Sequence, residues 1–188
     1  MNRYLILLIF LISSIFGETI HRGKVVEANN SMVVTRHFLA TEIGNNVLQN
    51  GGNAIDASIA ISFALAVVLP QAGNIGGGGF MVIHNQDSNF TIDYREQAPL
   101  LATEKMFITD GSYDPELALE SYQSSGTPGA VAGMYLAHQK FGSIEWKDLI
   151  QPSIDLARNG FIVTKTLEHA LENNIEKYIN MNSIVDLF

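Results

Sequence analysis

The residues with the clearest capacity for chemistry lie in the segment Asp93-Tyr94-Arg95-Glu96-Gln97-Ala98-Pro99. Arg95 stands at the end of a predicted strand in apolar company, where an unpaired charge would be very costly. Its planar guanidinium matches a carboxylate through two parallel hydrogen bonds. The partner is Glu96 or Asp93 in an internal salt bridge, or it is the carboxylate of a ligand. The residues alone favour the internal salt bridge, because structural ion pairs are common.

A second candidate is the glycine-rich stretch Gly73-Asn74-Ile75-Gly76-Gly77-Gly78-Gly79. Runs of glycine let backbone N–H groups approach a phosphate or an oxyanion. A dinucleotide-binding loop follows a strand and opens a helix, whereas this stretch follows a predicted helix and precedes a predicted strand. The order argues against nucleotide binding. It leaves two interpretations: backbone packing where no side chain fits, or the wall of a site.

The other reactive side chains show no catalytic or metal-binding spacing. The chain has no cysteine, which excludes a thiolate nucleophile, a disulfide and a cysteine-built metal site. It has no Gly-x-Ser-x-Gly elbow, and residues 125–129 form a predicted turn. The scattered histidines predict surface or capping roles and no metal site: His21, His37, His84, His138 and His169. The residues therefore indicate part of a site with no catalytic residue, no metal and no cofactor.

Composition and the first residues narrow the class of protein. With 11 Lys and Arg against 19 Asp and Glu, the net charge of −8 argues against nucleic-acid binding. Residues 1–17 have the short cationic start, apolar run and small final residue of a secretory signal peptide. A membrane anchor is the alternative, but a span needs about 20 residues, more than the apolar run Tyr4–Phe16 supplies. We expect an exported, periplasmic or secreted protein without a stable membrane anchor.

The candidate site must be positioned by a helix-rich scaffold. Residues 18–30 are predicted to be a linker, followed by a domain over residues 31–188. Asn50-Gly51-Gly52-Asn53 ends one predicted helix and caps the next, since glycine favours the left-handed stop and asparagine the N-cap. The predicted strands are 32–35 and a hairpin of 80–84 with 90–94. Helices are predicted over 39–49, 54–69 and 130–140. Two more helices are predicted: one is capped by Ser143, interrupted at Pro152 and ended at Gly160, and the other is capped by Thr164 and covers 165–174.

Four segments in this order resemble the amino-terminal part of the γ-glutamyltranspeptidase family. They are residues 50–57 (NGGNAIDA), 70–80 (PQAGNIGGGGF), 93–99 (DYREQAP) and 125–129 (SGTPG), and residues 151–152 and 157–161 extend the match. Ordered motifs at consistent spacing are far more specific than any one of them alone. The resemblance covers roughly residues 32–174.

The resemblance implies an α/β (α+β) fold of the N-terminal-nucleophile hydrolase type, a four-layer α/β/β/α sandwich of which only the amino-terminal part is present. Family members are secreted precursors that cleave themselves into a large and a small subunit. The new N-terminal Thr attacks the γ-glutamyl amide of glutathione and can use its own α-amine as the base. The γ-glutamyl group then passes to water, an amino acid or a peptide. The resemblance assigns Arg95 to the α-carboxylate of that group, which reverses the preference for a salt bridge.

One departure from the family pattern limits what the chain can do. The Thr-Thr-His segment that supplies the nucleophile is absent, since Thr35-Arg36-His37 lies in a different context. We therefore expect a truncated large-subunit fragment that binds γ-glutamyl compounds, needs the missing small subunit and is inactive alone. Two alternatives stay open: an acylase-type amidohydrolase of the same family, or a non-catalytic subunit that docks a separately encoded small subunit.

Overall fold

The computed structural model describes residues 25–86 and 88–176. The chain divides into two compact units, residues 1–31 and 32–188. The described part of the first unit, residues 25–31, contains neither helix nor strand. The predicted signal peptide lies outside the described residues. Among the helices of the described part, none has the length and apolar character needed to cross a membrane.

Six helices and two small hairpins make up the described part of the second unit. The helices are α1 (Phe38–Gln49), α2 (Ala54–Val68), α3 (Pro115–Glu120), α4 (Ala130–Phe141), α5 (Trp146–Asn159) and α6 (Lys165–Glu172), with a 3-10 turn at Tyr122–Ser124. The strands are β1 (Phe80–Asn85), β2 (Ser88–Asp93), β3 (Ile108–Thr109) and β4 (Ser112–Tyr113). β1 pairs with β2 and β3 with β4, both antiparallel. The helices and the β1–β2 hairpin expected from the sequence are thus present.

Helix α2 is the centre of the fold because its sequence is apolar on every side. It packs against α1 and α5 and, over a smaller area, against α4. Ile59 and Ala60 of α2 are fully buried with Leu149 of α5, and burial of such a leucine contributes about 1.5–3 kcal/mol. A second cluster joins Ile83 and Ile92 of the hairpin to α4. This contact fixes the hairpin, and with it the segment that follows β2, on the helical layer.

Asp56 ties the start of α2 to the loop before α5. Its carboxylate is fully buried and accepts hydrogen bonds from the Asn53 backbone N–H at 2.9 Å, the Ser143 N–H at 3.0 Å and the Ser143 hydroxyl at 2.6 Å. Burial raises the pKa of Asp56, but these hydrogen bonds outweigh it and hold the pKa below its usual value. The expectation that Ser143 caps the next helix is wrong, because its hydroxyl serves Asp56 and α5 begins only after Glu145.

Two other local expectations are also wrong. Residues 32–35 form no strand, because no described segment pairs with them. Helix α5 runs through Pro152 without a break. A proline removes one backbone donor from the helix, and the buried side chains of Leu149 and Ser153 on either side hold α5 to the core.

Candidate active site

Arg95 is the first residue after the β1–β2 pairing ends. The Tyr94 N–H donates to the Gly79 carbonyl at 3.0 Å and the Gly79 N–H donates to the Tyr94 carbonyl at 3.3 Å, so the ladder extends one residue beyond β2. The Arg95 N–H instead donates to the Asp93 carboxylate at 3.0 Å. This bond turns the chain away from the hairpin and leaves Arg95 exposed.

The guanidinium of Arg95 is open to a ligand. No described carboxylate lies within 4.0 Å of it, so the internal salt bridge with Glu96 or Asp93 that the residues alone favoured is absent. The expectation of an apolar, enclosed Arg95 is also wrong, since the hairpin ends before this residue. Its Cζ atom lies 6.0 Å from the centre of the Phe80 ring, a cation–π contact that restrains the side chain.

The glycine-rich loop packs directly on this segment. A Cβ atom at Gly78 would lie 2.6 Å from the Tyr94 carbonyl oxygen and 2.8 Å from the Arg95 Cα. The Gly77 carbonyl accepts hydrogen bonds from the N–H groups of Gly129 at 3.0 Å and Ala130 at 2.9 Å. The backbone-packing interpretation of the loop is confirmed, and the loop joins residues 94–96 to the start of α4.

The ring of Tyr94 is set among glycines. A Cβ atom at Gly133 would overlap the ring, and one at Gly129 would overlap the Tyr94 carbonyl oxygen. Burial raises the pKa of the Tyr94 hydroxyl, so this side chain stays neutral and acts as a packing group. Sequence reasoning missed Gly129 and Gly133 as supports of the site. The available signal was the run of small residues at the start of α4.

A cavity of about 310 Å³ adjoins Arg95 on the α4 side. Its walls include Gln97 and Thr127, which form an isolated antiparallel bridge through backbone hydrogen bonds of 3.1 and 2.8 Å. Its charged lining residues are Asp93 and Arg95. Asp93 accepts the Arg95 N–H, while the Arg95 guanidinium has no carboxylate partner among the described residues. The arrangement can bind a small carboxylate through the Arg95 guanidinium.

The described histidines serve structural roles. His37 caps α1, where its Nδ1 accepts from the Leu39 N–H at 3.3 Å, and burial lowers its pKa. The Nε2 of His138 bonds the Ile144 carbonyl at 2.7 Å. His84 contacts Asn89, and His169 pairs with Glu172 at 3.5 Å. Over the described residues, no three His, Asp or Glu side chains are grouped as metal ligands. His21 lies outside the described residues.

Comparison with known sequences places the similar proteins in one family. The family model described as gamma-glutamyltranspeptidase matches residues 40–188. The glutathione hydrolase proenzyme of Escherichia coli (strain K12) is 48% identical over 149 residues, which are 78% of this chain and 26% of that protein. The glutathione hydrolase proenzyme of Bacillus subtilis (strain 168) is 40% identical over 169 residues, 88% of this chain and 29% of the relative. The chain thus spans about a quarter of the length of these relatives.

Solved structures agree with the sequence matches. The gamma-glutamyltranspeptidase of Helicobacter pylori superposes with a TM-score of 0.81 at 44% identity, over 86% of this chain and 47% of that chain. The enzyme of Pseudomonas nitroreducens complexed with L-DON gives a TM-score of 0.79 at 35% identity, over 85% and 48%. A cephalosporin acylase from Bacillus halodurans, at 23% identity and a TM-score of 0.65, shares the fold. These likenesses confirm the expected α+β fold class.

Proposed function

The chain belongs to the γ-glutamyltranspeptidase family, and we propose that it is the amino-terminal, γ-glutamyl-binding part of an exported glutathione hydrolase and γ-glutamyltransferase. The names of its relatives support this activity, and so does the likeness to solved γ-glutamyltranspeptidases. Residues 1–188 contain no counterpart of the Thr-Thr-His nucleophile segment. The nucleophile is therefore assigned to the part of the family's chain beyond the matched stretch.

The observation that carries the proposal is the exposed guanidinium of Arg95, which has no carboxylate partner among the described residues. Two of its N–H groups can bind the α-carboxylate of a γ-glutamyl group side by side. The carboxylate is thereby held at one end, so the γ-amide lies at a fixed distance from Arg95. The role of this chain is to bind and orient the donor.

The reaction then needs a threonine from the rest of the enzyme. Its hydroxyl oxygen attacks the γ-carbonyl carbon while its α-amine takes the hydroxyl proton. The amide C–N bond breaks, and the proton passes to the leaving amine. Water or an amine next attacks the resulting ester, which releases glutamate or a new γ-glutamyl amide and regenerates the threonine. The Arg95 contact with the carboxylate persists through both steps.

A chimera tests this proposal with a measurable activity. Residues 40–188 would replace the matched stretch of the Escherichia coli relative, and hydrolysis of a γ-glutamyl anilide would be followed. We expect Arg95→Ala to raise the KM about 10- to 100-fold, as a charge-assisted hydrogen bond contributes about 1.5–3 kcal/mol. Arg95→Lys should lose most of the same binding, because lysine cannot form the two parallel bonds.

The matched control is Arg158→Ala, which removes an exposed arginine at the end of α5. This variant should retain the KM of the unmodified chimera. A KM that does not change in Arg95→Ala would contradict the assignment of the carboxylate to Arg95. The related acylase activity is separated in the same experiment, since a donor lacking the α-carboxylate should be unaffected by Arg95→Ala.

A further inference from the structure

The chain contains two N-glycosylation sequons, which the γ-glutamyl chemistry does not use. An asparagine followed two residues later by serine or threonine is the acceptor sequence for N-linked glycans in secreted proteins. Residues 29–31 (NNS) and 89–91 (NFT) have this pattern. A sequon is a modification site only where the transferring enzyme can reach the asparagine, so the structure distinguishes between the two.

Both sequons carry a carboxylate two residues before the asparagine. It is Glu27 in the first, within residues 27–31 (EANNS), and Asp87 in the second, within residues 87–91 (DSNFT). Asp and Glu are 19 of 188 residues, about one in ten, so chance would place an acid there in both sequons in about one chain in a hundred. Side chains two residues apart lie on the same side of an extended peptide. The acid, the asparagine and the hydroxyl residue can therefore be bound together by one surface of an enzyme.

The first sequon lies in exposed chain without secondary structure. Residues 27–31 belong to the first compact unit, and all five are exposed. The chain bends at residues 29 and 30 and forms neither helix nor strand there. No hydrogen bond joins this segment to any described residue. The segment can therefore take an extended form on an enzyme without breaking a hydrogen bond, helix or strand of the described chain.

The second sequon is held within the β1–β2 hairpin. Asn89 is paired with His84 in the register, and its Oδ1 atom lies 2.8 Å from the His84 Nδ1 atom. Phe90, the middle residue of this sequon, packs on Phe141 of α4 with ring centres 5.0 Å apart. An enzyme that surrounds the peptide would have to detach β2 from both β1 and α4, which costs the free energy of a local unfolding. The folded chain therefore offers Asn29 and withholds Asn89.

We propose that Asn29 is an N-glycosylation site and that residues 27–31 are the segment recognised by an oligosaccharyltransferase. The carboxamide nitrogen of Asn29 attacks the anomeric carbon of an oligosaccharide carried on a lipid diphosphate. The carbon–nitrogen bond forms while the bond from that carbon to the diphosphate oxygen breaks. The nitrogen loses one proton to a base of the transferase, and the lipid diphosphate leaves. The Ser31 hydroxyl and the Glu27 carboxylate hold the peptide in place, the carboxylate through a charge-assisted hydrogen bond to a cation of the transferase.

This modification goes beyond the proposed function. It requires the export that residues 1–17 predict, since N-linked glycans are added to secreted chains. It requires neither a γ-glutamyl substrate nor Arg95, and Asn29 lies before residue 40, where the family match begins. Arg95→Ala should therefore accept the glycan at the rate of the unmodified chain. A failure of γ-glutamyl binding and a failure of glycosylation are thus separate results.

Variants of Glu27 and Ser31 test how the segment is recognised. Glu27→Gln should slow the transfer at least about tenfold, because a charge-assisted hydrogen bond is lost. Ser31→Ala should abolish the transfer, whereas Ser31→Thr should retain it because threonine also carries the hydroxyl. The control is Glu42→Gln, an exposed glutamate of α1, which should leave the rate unchanged. Equal rates for Glu27→Gln and Glu42→Gln would overturn the assignment of residues 27–31 as the recognised segment.

Two synthetic peptides separate recognition of the sequence from access in the fold. One covers residues 25–34 and the other residues 85–94, so each contains one sequon with its acid. We expect an oligosaccharyltransferase that requires this acid to glycosylate both peptides. Refusal of the peptide 25–34 would overturn the site at Asn29. Refusal of the peptide 85–94 would overturn the argument that the fold protects Asn89.

Glycan transfer to the folded 188-residue chain is the decisive measurement. The purified chain would be incubated with the same transferase and a lipid diphosphate-linked oligosaccharide, and its mass would be measured. We expect an increase by one glycan, located by peptide mass spectrometry at Asn29. Asn29→Gln should abolish the increase, and the matched control Asn89→Gln should retain it. No transfer, transfer to Asn89 alone, or equal transfer to both asparagines would overturn the proposal.

Discussion

At the residue scale, Gly133 decides how closely α4 can approach the segment that carries Arg95. A methyl group there would overlap Cβ and Cγ of Tyr94, atoms that cannot move without shifting the backbone. We expect Gly133→Ala to lower the free energy of unfolding, because overpacking costs about 1–3 kcal/mol and the better helix propensity of alanine returns only about 1 kcal/mol. Urea unfolding of the 188-residue chain measures this change.

Two variants make this prediction specific to the Tyr94 contact. Gln139→Ala lies on the exposed side of the same helix and should change the stability by less than about 0.5 kcal/mol. Tyr94→Ala should cost less in the Gly133→Ala background than in the unmodified chain, because there the loss of the ring also relieves the overlap. Additive losses in the double variant would show that the two residues do not compete for space.

His37 links the stability of α1 to pH. Burial lowers its pKa in the folded chain, so the unfolded chain, whose histidine has a pKa near 6.5, binds the proton more tightly. The stability that depends on neutral His37 is therefore complete above about pH 6.5 and declines as the pH falls below that value toward the folded pKa. Denaturant unfolding between about pH 5 and 7.5 measures this decline.

An asparagine at this position separates titration from capping. His37→Asn keeps a side-chain acceptor for the Leu39 N–H but has no proton to gain. Its free energy of unfolding should vary less with pH in the same window. His169→Gln, which replaces an exposed histidine, should retain the slope of the unmodified chain. If the free energy of unfolding of His37→Asn varied with pH as it does in the unmodified chain, a group other than His37 would be responsible for the pH dependence.

At the element scale, Asp56 joins α2 to α5 through the loop at Ser143. Asp56→Asn replaces an acceptor of several hydrogen bonds with a group that carries donors, so we expect a loss of about 2–3 kcal/mol. Urea unfolding near pH 7 gives this value. Since the folded pKa of Asp56 is lowered, its contribution is present above about pH 4 and is lost as the pH falls through the folded pKa.

The matched control for this prediction is Asp155→Asn. Asp155 is an exposed aspartate of α5 that accepts one hydrogen bond from Gln151. Its removal should change the stability by no more than about 0.5 kcal/mol. If Asp56→Asn were as stable as Asp155→Asn, the hydrogen bonds at Ser143 would not be holding the two helices together.

The elements predicted from the sequence are those whose signals are local. The stop at Gly51, which has φ +90°, and the capping box of Asn53 with Asp56 define the boundary between α1 and α2 without help from the rest of the fold. The alternation of residues 80–94 defines the β1–β2 hairpin. Ser143 was predicted wrongly because its hydroxyl serves a distant partner, Asp56. Residues 32–35 were predicted wrongly because β-propensity alone does not make a strand, and no described segment pairs with them.

The candidate site was less predictable than the fold. The sequence identified Arg95 as a cation in need of a carboxylate but could not distinguish Asp93 from a ligand. The structure excludes the salt bridge with Asp93, because Asp93 accepts from the Arg95 backbone N–H and its carboxylate lies beyond ion-pair distance of the guanidinium. Binding of a ligand carboxylate by Arg95 stays a prediction. The run of small residues at the start of α4 marks Gly129 and Gly133 as places of close packing, but it does not show that Tyr94 is the residue that approaches them.

At the scale of the whole molecule, the proposed function assigns to this chain the substrate-binding half of a reaction. Arg95 is the proposed carboxylate contact, and residues 1–188 contain no cysteine and no Thr-Thr-His segment. Large apolar side chains such as Leu100 and Leu101 are 104% and 91% exposed. Such exposure is typical of surfaces that are covered in a larger assembly. We therefore expect binding of the γ-glutamyl substrate and cleavage of its amide bond to be measurable separately.

The 188-residue chain should consequently release no anilide from a γ-glutamyl anilide at any pH, because orientation of the carboxylate by Arg95 does not replace an attacking oxygen. The chimera with the Escherichia coli relative should cleave the same substrate, and substitution of the threonine that relative supplies should abolish cleavage while Arg95 is still present. A spectrophotometric assay at equal protein concentrations makes the comparison. Turnover by the 188-residue chain itself, lost in Arg95→Ala, would require a nucleophile within residues 1–188 and would contradict the division of the reaction between the two parts.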